Sequence, residues 1–264
     1  MRLALRLGYL GDRFSGSQQQ PDQRTVEGEV IAACRRLDLF TDWREARFAL
    51  AGRTDRGVHA RGQVCAFDTP APDRAREVLS LQLPRDLWCT GIVDVPAEFH
   101  PRYDARSRTY RYIYLDPELD TPAMDRSSRL FVGRFDFSRF GRVEGKNPER
   151  VILAARVFRE EGFTVFEVTA WSFLWQMVRS MAGVLEAVGR GEAGEERIRE
   201  LLSDPSGPRM PPAPAGGLIL WEVDCGITFS DLPLDHRTRD YLTFLLRHHA
   251  LMGRVCQALQ ERDG

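Results

Sequence analysis

The chain has almost no lysine: of its 37 basic residues, Lys146 is the sole lysine and the others are arginine. It has no surplus of either charge, because 38 acidic residues leave a formal net charge of −1. That balance excludes a uniformly basic surface, so an anionic partner has to be met by a local patch. Cysteine pairs are absent too. Cys34, Cys65, Cys89, Cys225 and Cys256 are odd in number and scattered, with no Cys-x-x-Cys and no Cys/His cluster at ligand spacing. This argues against a disulfide framework and against a zinc site, and no metal is expected. No apolar run approaches the roughly 18 residues of a membrane helix. Met1 to Leu10 alternates apolar and basic residues and reaches Gly11 without the apolar stretch of a signal peptide. A cytoplasmic chain with no membrane contact is therefore expected.

What is present is ordinary for a folded soluble protein: 264 residues, 43% hydrophobic and 28% charged. The length fits one large domain or two closely packed halves. Arginine's planar, permanently charged fork suits phosphates. A genome's compositional preference gives the same arginine count, and that plainer reading is preferred.

Alternation of Leu3, Leu5 and Leu7 with Ala4, Arg6 and Gly8 predicts an opening strand, followed by a polar loop from Gly11 to Gln23. Thr25 can cap a helix carrying Val26, Val30, Ala33, Cys34 and Leu37. Strands are expected at Phe48 to Ala51 and Gln63 to Phe67, a helix at Asp73 to Leu83, and an extended run at Cys89 to Val95. This β-α-β-β-α-β order is the split βαβ, or ferredoxin-like, arrangement. A second half repeats the theme. It has a strand at Arg108 to Leu115, a short helix at Phe135 to Phe140, and a hairpin of Val151 to Phe158 with Phe163 to Trp171. Helices at Phe173 to Val188 and Glu195 to Leu202 and a last strand at Leu218 to Val223 complete it. The expected class is α+β, two ferredoxin-like halves (1–101 and 102–232) sharing one antiparallel sheet with helices packed on it and a cleft. An amphipathic helical extension occupies 233–264.

Ala51 to Gln63 (Ala-Gly-Arg-Thr-Asp-Arg-Gly-Val-His-Ala-Arg-Gly-Gln) is the densest chemical feature. Loops between strands are often charged, and an Arg/Asp pair there is commonly a solvated salt bridge. Three glycines, however, permit unusual backbone angles and close approach to a ligand. A carboxylate flanked by arginines favours its charged form. Such a group suits a nucleophile or an electrostatic stabiliser.

Within that loop, Gly52-Arg53-Thr54-Asp55-Arg56-Gly57-Val58-His59 resembles the Gly-Arg-Thr-Asp-x-Gly-Val-His signature of the TruA family of tRNA pseudouridine synthases. Four further blocks follow in family order: Tyr9 to Gln20, Phe99 to Tyr112, Phe173 to Gly183 with its Met-Val-Arg, and Ala213 to Leu220. The resemblance implies isomerisation of uridine to pseudouridine in tRNA without a cofactor, at positions 38, 39 and 40 of the anticodon stem-loop. It also implies a homodimer that binds tRNA and not DNA. A non-catalytic RNA-binding or tRNA-chaperone protein of the same fold is the alternative.

By the same resemblance Asp55 is the essential residue, acting at the ribose C1′, at the uracil C6, or on a ribose proton. Arg179 is its charged partner. Tyr110 stacks on the flipped uracil and assists proton removal at C5, although packing beside Tyr112 on one strand face is the plainer role. Arg53, Arg56 and Arg61 are expected to contact phosphates or brace the loop, and together with Arg179 to lie on one face around Asp55. Gln18 and Gln20 match family glutamines that contact tRNA. His59 is expected to order the loop rather than act as a base. Three departures stand out: Leu10 replaces the family's Asp, Ser17 its Trp, and Trp175-Gln176 its His-His. They are expected to alter the grip on tRNA and to leave Asp55, Tyr110 and Arg179 untouched. The long final helix resembles archaeal relatives more than bacterial ones.

Overall fold

A computed structural model describes residues 1–143, 145 and 147–260. The first half runs β1 (Arg2–Tyr9), α1 (Val26–Arg36), β2 (Ala49–Leu50), β3 (His59–Asp68), α2 (Pro72–Gln82) and β4 (Leu87–Asp94). The second runs β5 (Ser107–Ile113), α3 (Thr121–Ser128), β6 (Gly133–Asp136), β7 (Glu149–Glu160), β8 (Phe163–Ala170), α4 (Met177–Gly189), α5 (Glu195–Ser203) and β9 (Leu218–Asp224). Then come β10 (Ser230–Asp231) and α6 (His236–Gln260).

The strands form one sheet in the order β10-β4-β1-β3-β9-β5-β8-β7-β6, with β2 beside β3. The quartets β4-β1-β3-β2 and β9-β5-β8-β7 share the ferredoxin-like order, fourth strand first. Pairings are antiparallel within each half. The seam between the halves, β3 against β9, is parallel.

Local chemistry accounts for the elements. Leu3, Leu5 and Leu7 are fully buried, as the alternation requires. Thr25 caps α1, its Oγ1 accepting from the Gly28 N–H at 3.2 Å, a contact that stabilises a helix by about 1 kcal/mol. Glu161 and Gly162 both take positive φ, the conformation a two-residue turn between β7 and β8 needs. Just past β5 the Tyr114 hydroxyl donates to the Ala182 carbonyl of α4 at 3.0 Å. Tyr110 and Tyr112, at even spacing, share that helix-covered face. Arg111 points the other way, to an open face where it pairs with Glu167 and stacks on Trp221 at 3.8 Å.

Three features differ from the sequence reading. Phe135 to Phe140 is no helix: Gly133 to Asp136 pairs with β7, and Phe137 and Phe140 tuck into an aromatic cluster with Phe131. Their spacing reflects that cluster and not a helical face. The helix lies earlier, at α3, where Asp120 caps the Ala123 N–H at 3.0 Å and Pro122 sits in the first turn. The α4 helix starts at Met177 rather than Phe173, because Gln176 is left-handed (φ +67) and turns the chain. The extension is helical over 236–260, with Thr238 its sole buried residue among those described; positions 261–264 lie outside the described residues.

All five cysteines are free thiols, four buried and Cys256 exposed. Burial pushes Cys34 and Cys89 up to about 12 and Cys225 to about 11, and raises Cys65 well above its ordinary value. Burial disfavours the thiolate, the reactive form, so at about pH 8 these four stay protonated and inert. Ellman titration of the native protein should count one prompt thiol, with the other four following only in denaturant. A second prompt thiol, or a Cys256→Ala variant that still reacts, contradicts this packing.

Candidate active site

The Asp55 loop exists because β3 has one edge and two claimants. With β1 along its whole other side, β3 pairs with β2 at Ala66 and Cys65 but with β9 at His59 and Ala60. The chain leaving β2 must therefore turn back before it meets β9, and residues 51–58 make that turn over the seam. Gly57 takes φ +82 there, a backbone that a side chain at this position would strain.

The turn is pinned on both sides of Asp55. The Gln63 Nε2 donates to the Gly52 carbonyl at 2.8 Å. The Thr54 N–H donates to the Ser17 Oγ at 2.8 Å, and the Ser17 N–H returns a bond to the Thr54 carbonyl at 3.0 Å. The Thr54 hydroxyl lies 2.8 Å from that of Tyr9, a phenol that burial pushes up to about 12. Arg108 donates to the carbonyls of Ala51 (2.9 Å), Arg102 (2.8 Å) and Trp171 (2.8 Å). Its own ionisation is pulled down by burial. His59 accepts from the Gly11 N–H at 3.0 Å through Nδ1, which leaves the Nε2 hydrogen for the Gly216 carbonyl at 3.2 Å. That geometry ties the N-terminal loop to the 215–217 turn of the second half.

The second half supplies the partners of the Asp55 carboxylate. The Arg179 Nη1 donates to Oδ2 at 3.1 Å, and its Nε donates to the Ala213 carbonyl at 2.7 Å. Arg179 lies in the first turn of α4, where the helix dipole also favours a neighbouring negative charge. The Trp175 Nε1 donates to Oδ1 at 2.7 Å. Both carboxylate oxygens thus face donors from the segment 175–179, across the seam from the loop that carries them.

Tyr110 is buried on the helix side, edge-on to Phe173 at 5.2 Å between centroids. Burial, with Tyr9 and the Asp55 charge adding to it, pushes its hydroxyl well above the ordinary phenol value. Tyr112, also buried, is pushed up to about 12 by burial. Arg179 pairs with Asp55 directly, and Tyr110 lies near enough for the Asp55 charge to act on its hydroxyl.

The other expected residues divide. Arg53 and Arg56 are exposed and flank Asp55 in the loop. Gln18 and Gln20 are exposed on the N-terminal loop beside it, Gln20 folded back onto the Ser15 carbonyl at 2.8 Å. Arg61 does not join them. It stacks on Trp221 at 4.4 Å, on the open sheet face with Arg111, opposite Tyr110. The expected single ring of four arginines thus loses Arg61, because strand alternation turns its side chain away. Nor do the departures stay clear of the site: Ser17 clamps the loop, and Trp175 bonds Asp55 directly. Among the described residues, no group of three or more His, Cys, Asp or Glu side chains could hold a metal.

A family model described as tRNA pseudouridine synthase matches residues 7–104 and 128–224. The tRNA pseudouridine synthase A of Methanoculleus marisnigri is 55% identical over 261 residues, 99% of this chain and 96% of the relative. That of Methanosphaerula palustris is 52% identical over 264 residues, 100% of this chain and 94% of its own. That of Thermococcus onnurineus is 43% identical over 233 residues, 87% of each. A chain from the crystal structure of a Cbf5-Nop10-Gar1 complex overlays at TM-score 0.37 and 13% identity, on 70% of this chain and 54% of that one, too loosely to inform the site.

Arg108 gives a test of the loop's support. A lysine cannot span three carbonyls, so Arg108→Lys should cost about 2 kcal/mol from bonds lost to a charged donor. For a protein of this size that lowers the melting temperature by about 5 °C. An unchanged melting temperature would show that the three bonds are dispensable.

Proposed function

This chain belongs to the tRNA pseudouridine synthase family, and from that premise we propose that Asp55, Arg179 and Tyr110 carry out its isomerisation of uridine to pseudouridine in tRNA. In that reaction the N1–C1′ bond breaks, the uracil turns, C5 bonds to C1′, C5 loses its proton and N1 gains one. Nothing is oxidised or reduced, so the protein's task is to expose the base, hold it and stabilise charge. A paired base is beyond reach within its stem, and flipping it out costs roughly a few kcal/mol.

The observation that carries the assignment is the Asp55 carboxylate itself. It stands on a pinned turn and pairs with Arg179 from the other half, and its charge acts on the Tyr110 hydroxyl. As a carboxylate, Asp55 can add to the sugar or the base or take a ribose proton. Tyr110 offers the flipped uracil a ring. Burial keeps its phenol neutral in the free protein, so a proton it takes from C5 must be matched by the loss of its own.

Arg53 and Arg56, exposed beside Asp55, are assigned to tRNA phosphates, and Gln18 and Gln20 to the same strand. Arg61 is assigned to the sheet's open face instead. The anticodon stem-loop, at positions 38, 39 and 40, is proposed as the target, and a cytoplasmic homodimer as the working form.

The deciding experiment uses tRNA tritiated at uracil C5 and follows label release alongside free base. Wild-type protein should release label and no free uracil. Free uracil would mean a glycosylase, and no release would mean a non-catalytic tRNA-binding protein. Asp55→Ala should abolish release while tRNA affinity stays within about tenfold, or about 1.4 kcal/mol. Tyr110→Phe keeps the ring and should lose turnover by about 10²-fold, the scale of a missing proton-transfer group. Turnover within about threefold of wild type would reduce Tyr110 to a stacking platform.

A further inference from the structure

We propose that Trp175 is a positioning residue for the Asp55 carboxylate, and that Arg142 holds the indole in place to do so; this rests on the reading of Asp55 given above. The geometry of Arg179 makes a second donor necessary. A guanidinium that grips a carboxylate with two parallel bonds fixes its plane. Arg179 does not, since its Nε is committed to the Ala213 carbonyl and one nitrogen, Nη1, reaches Asp55. A single bond to Oδ2 leaves the carboxylate able to turn about its Cβ–Cγ bond. The Trp175 Nε1–H on Oδ1, at 2.7 Å the shorter contact, stops that rotation. An indole nitrogen donates and never accepts, so it can hold the charged carboxylate without removing a proton from the site.

The backbone around Trp175 is arranged for this contact. Gln176 sits in the left-handed region at φ +67, a conformation that strains a non-glycine residue. That kink ends the segment leading into α4 and turns Trp175 toward Asp55. The Trp175 carbonyl accepts from the Arg142 N–H at 2.9 Å. The Arg142 guanidinium then lies over the indole at 4.3 Å, a cation–π contact on a residue that is 42% exposed. Without that cover, the indole of a residue this exposed could swing into the cleft.

The test compares single-turnover label release by wild type, Trp175→Phe, Trp175→His, Arg142→Gln and Asp55→Ala, with melting temperatures alongside. Trp175→Phe keeps a ring under Arg142 and removes the N–H. Its rate constant should fall about tenfold, about 1.4 kcal/mol of activation free energy, while half-saturation by tRNA stays within about twofold. Trp175→His restores a donor and should recover part of the loss. Arg142→Gln leaves Trp175 intact and should lower the rate constant by about threefold with the same unchanged half-saturation; it carries the test if Trp175→Phe melts early. If Trp175→Phe and Arg142→Gln both turn over at the wild-type rate while Asp55→Ala is dead, the proposal falls and the role of Asp55 stands. A defect confined to tRNA half-saturation makes Trp175 a substrate contact and overturns positioning. An active Asp55→Ala removes both readings together.

Discussion

The structure depends on the seam between β3 and β9. It is a parallel ladder of two residue pairs, His59 with Ile219 and Ala60 with Leu220. Hydrogen bonds net about 1 kcal/mol each, so two pairs cannot by themselves hold two half-domains in register. The rest comes from contacts built around the seam. Gly62 allows the β9 backbone to approach so closely that a Cβ there would lie 2.7 Å from the Trp221 carbonyl oxygen. His59 bridges Gly11 and Gly216, and Arg108 ties Ala51 to Trp171. One hydrophobic core also continues through both halves. Apart from the core, each of these contacts involves a residue in the Asp55 turn or within about four positions of it. The stability of the joint and the placement of the carboxylate are therefore the same problem.

Arginine does much of this work, which changes the meaning of the lysine shortage. Arg108 and Arg179 each divide one guanidinium among acceptors on different segments, and Arg111 pairs with two glutamates while stacking on Trp221. A planar fork with five donors can do this; an ammonium on a flexible stem cannot hold the same angles. Much of the arginine content is thus structural, and an arginine count says little about how much cationic surface is left for a nucleic acid. Arg61 illustrates the point. It is close in sequence to Asp55, yet strand alternation sends it to the opposite face, to a tryptophan 160 positions further along the chain.

What could be read beforehand follows from the range of the interactions. Thr25 and its cap, the Glu161-Gly162 turn and the alternating leucines of β1 are local signals, complete within a few residues. The pairing of Asp55 with Arg179 was legible because two motifs recur together, although 124 positions separate the residues. Trp175 was not legible. Its importance lies in a bond to a residue 120 positions away and in a backbone kink at Gln176, and no periodicity announces either. The aromatic run at Phe135 to Phe140 misled for the opposite reason: a local pattern was present but served a tertiary cluster. Asp120 and Pro122, a cap and a first-turn proline, were a readable signal for α3 that the stronger aromatic spacing obscured.

The Asp55–Arg179 pair is best understood through orientation. Its side chains are 26% and 14% exposed, so solvent screens the attraction in part while part of the desolvation cost remains. Such a pair contributes little net stability, and a fold that needed only cohesion would do as well with apolar side chains. What the pair supplies is direction. On the proposed role of Asp55, a substrate nucleotide arrives with its own unstacking cost, and any further cost of ordering the carboxylate would add to the barrier. Here that ordering is complete before substrate enters: the loop backbone is fixed by Ser17, Gln63 and Arg108, and the carboxylate by Arg179 and Trp175. Because the loop belongs to one half and the donors to the other, relative motion of the halves of even an ångström would spoil the alignment. A continuous sheet, rather than two domains on a hinge, is the architecture that prevents it.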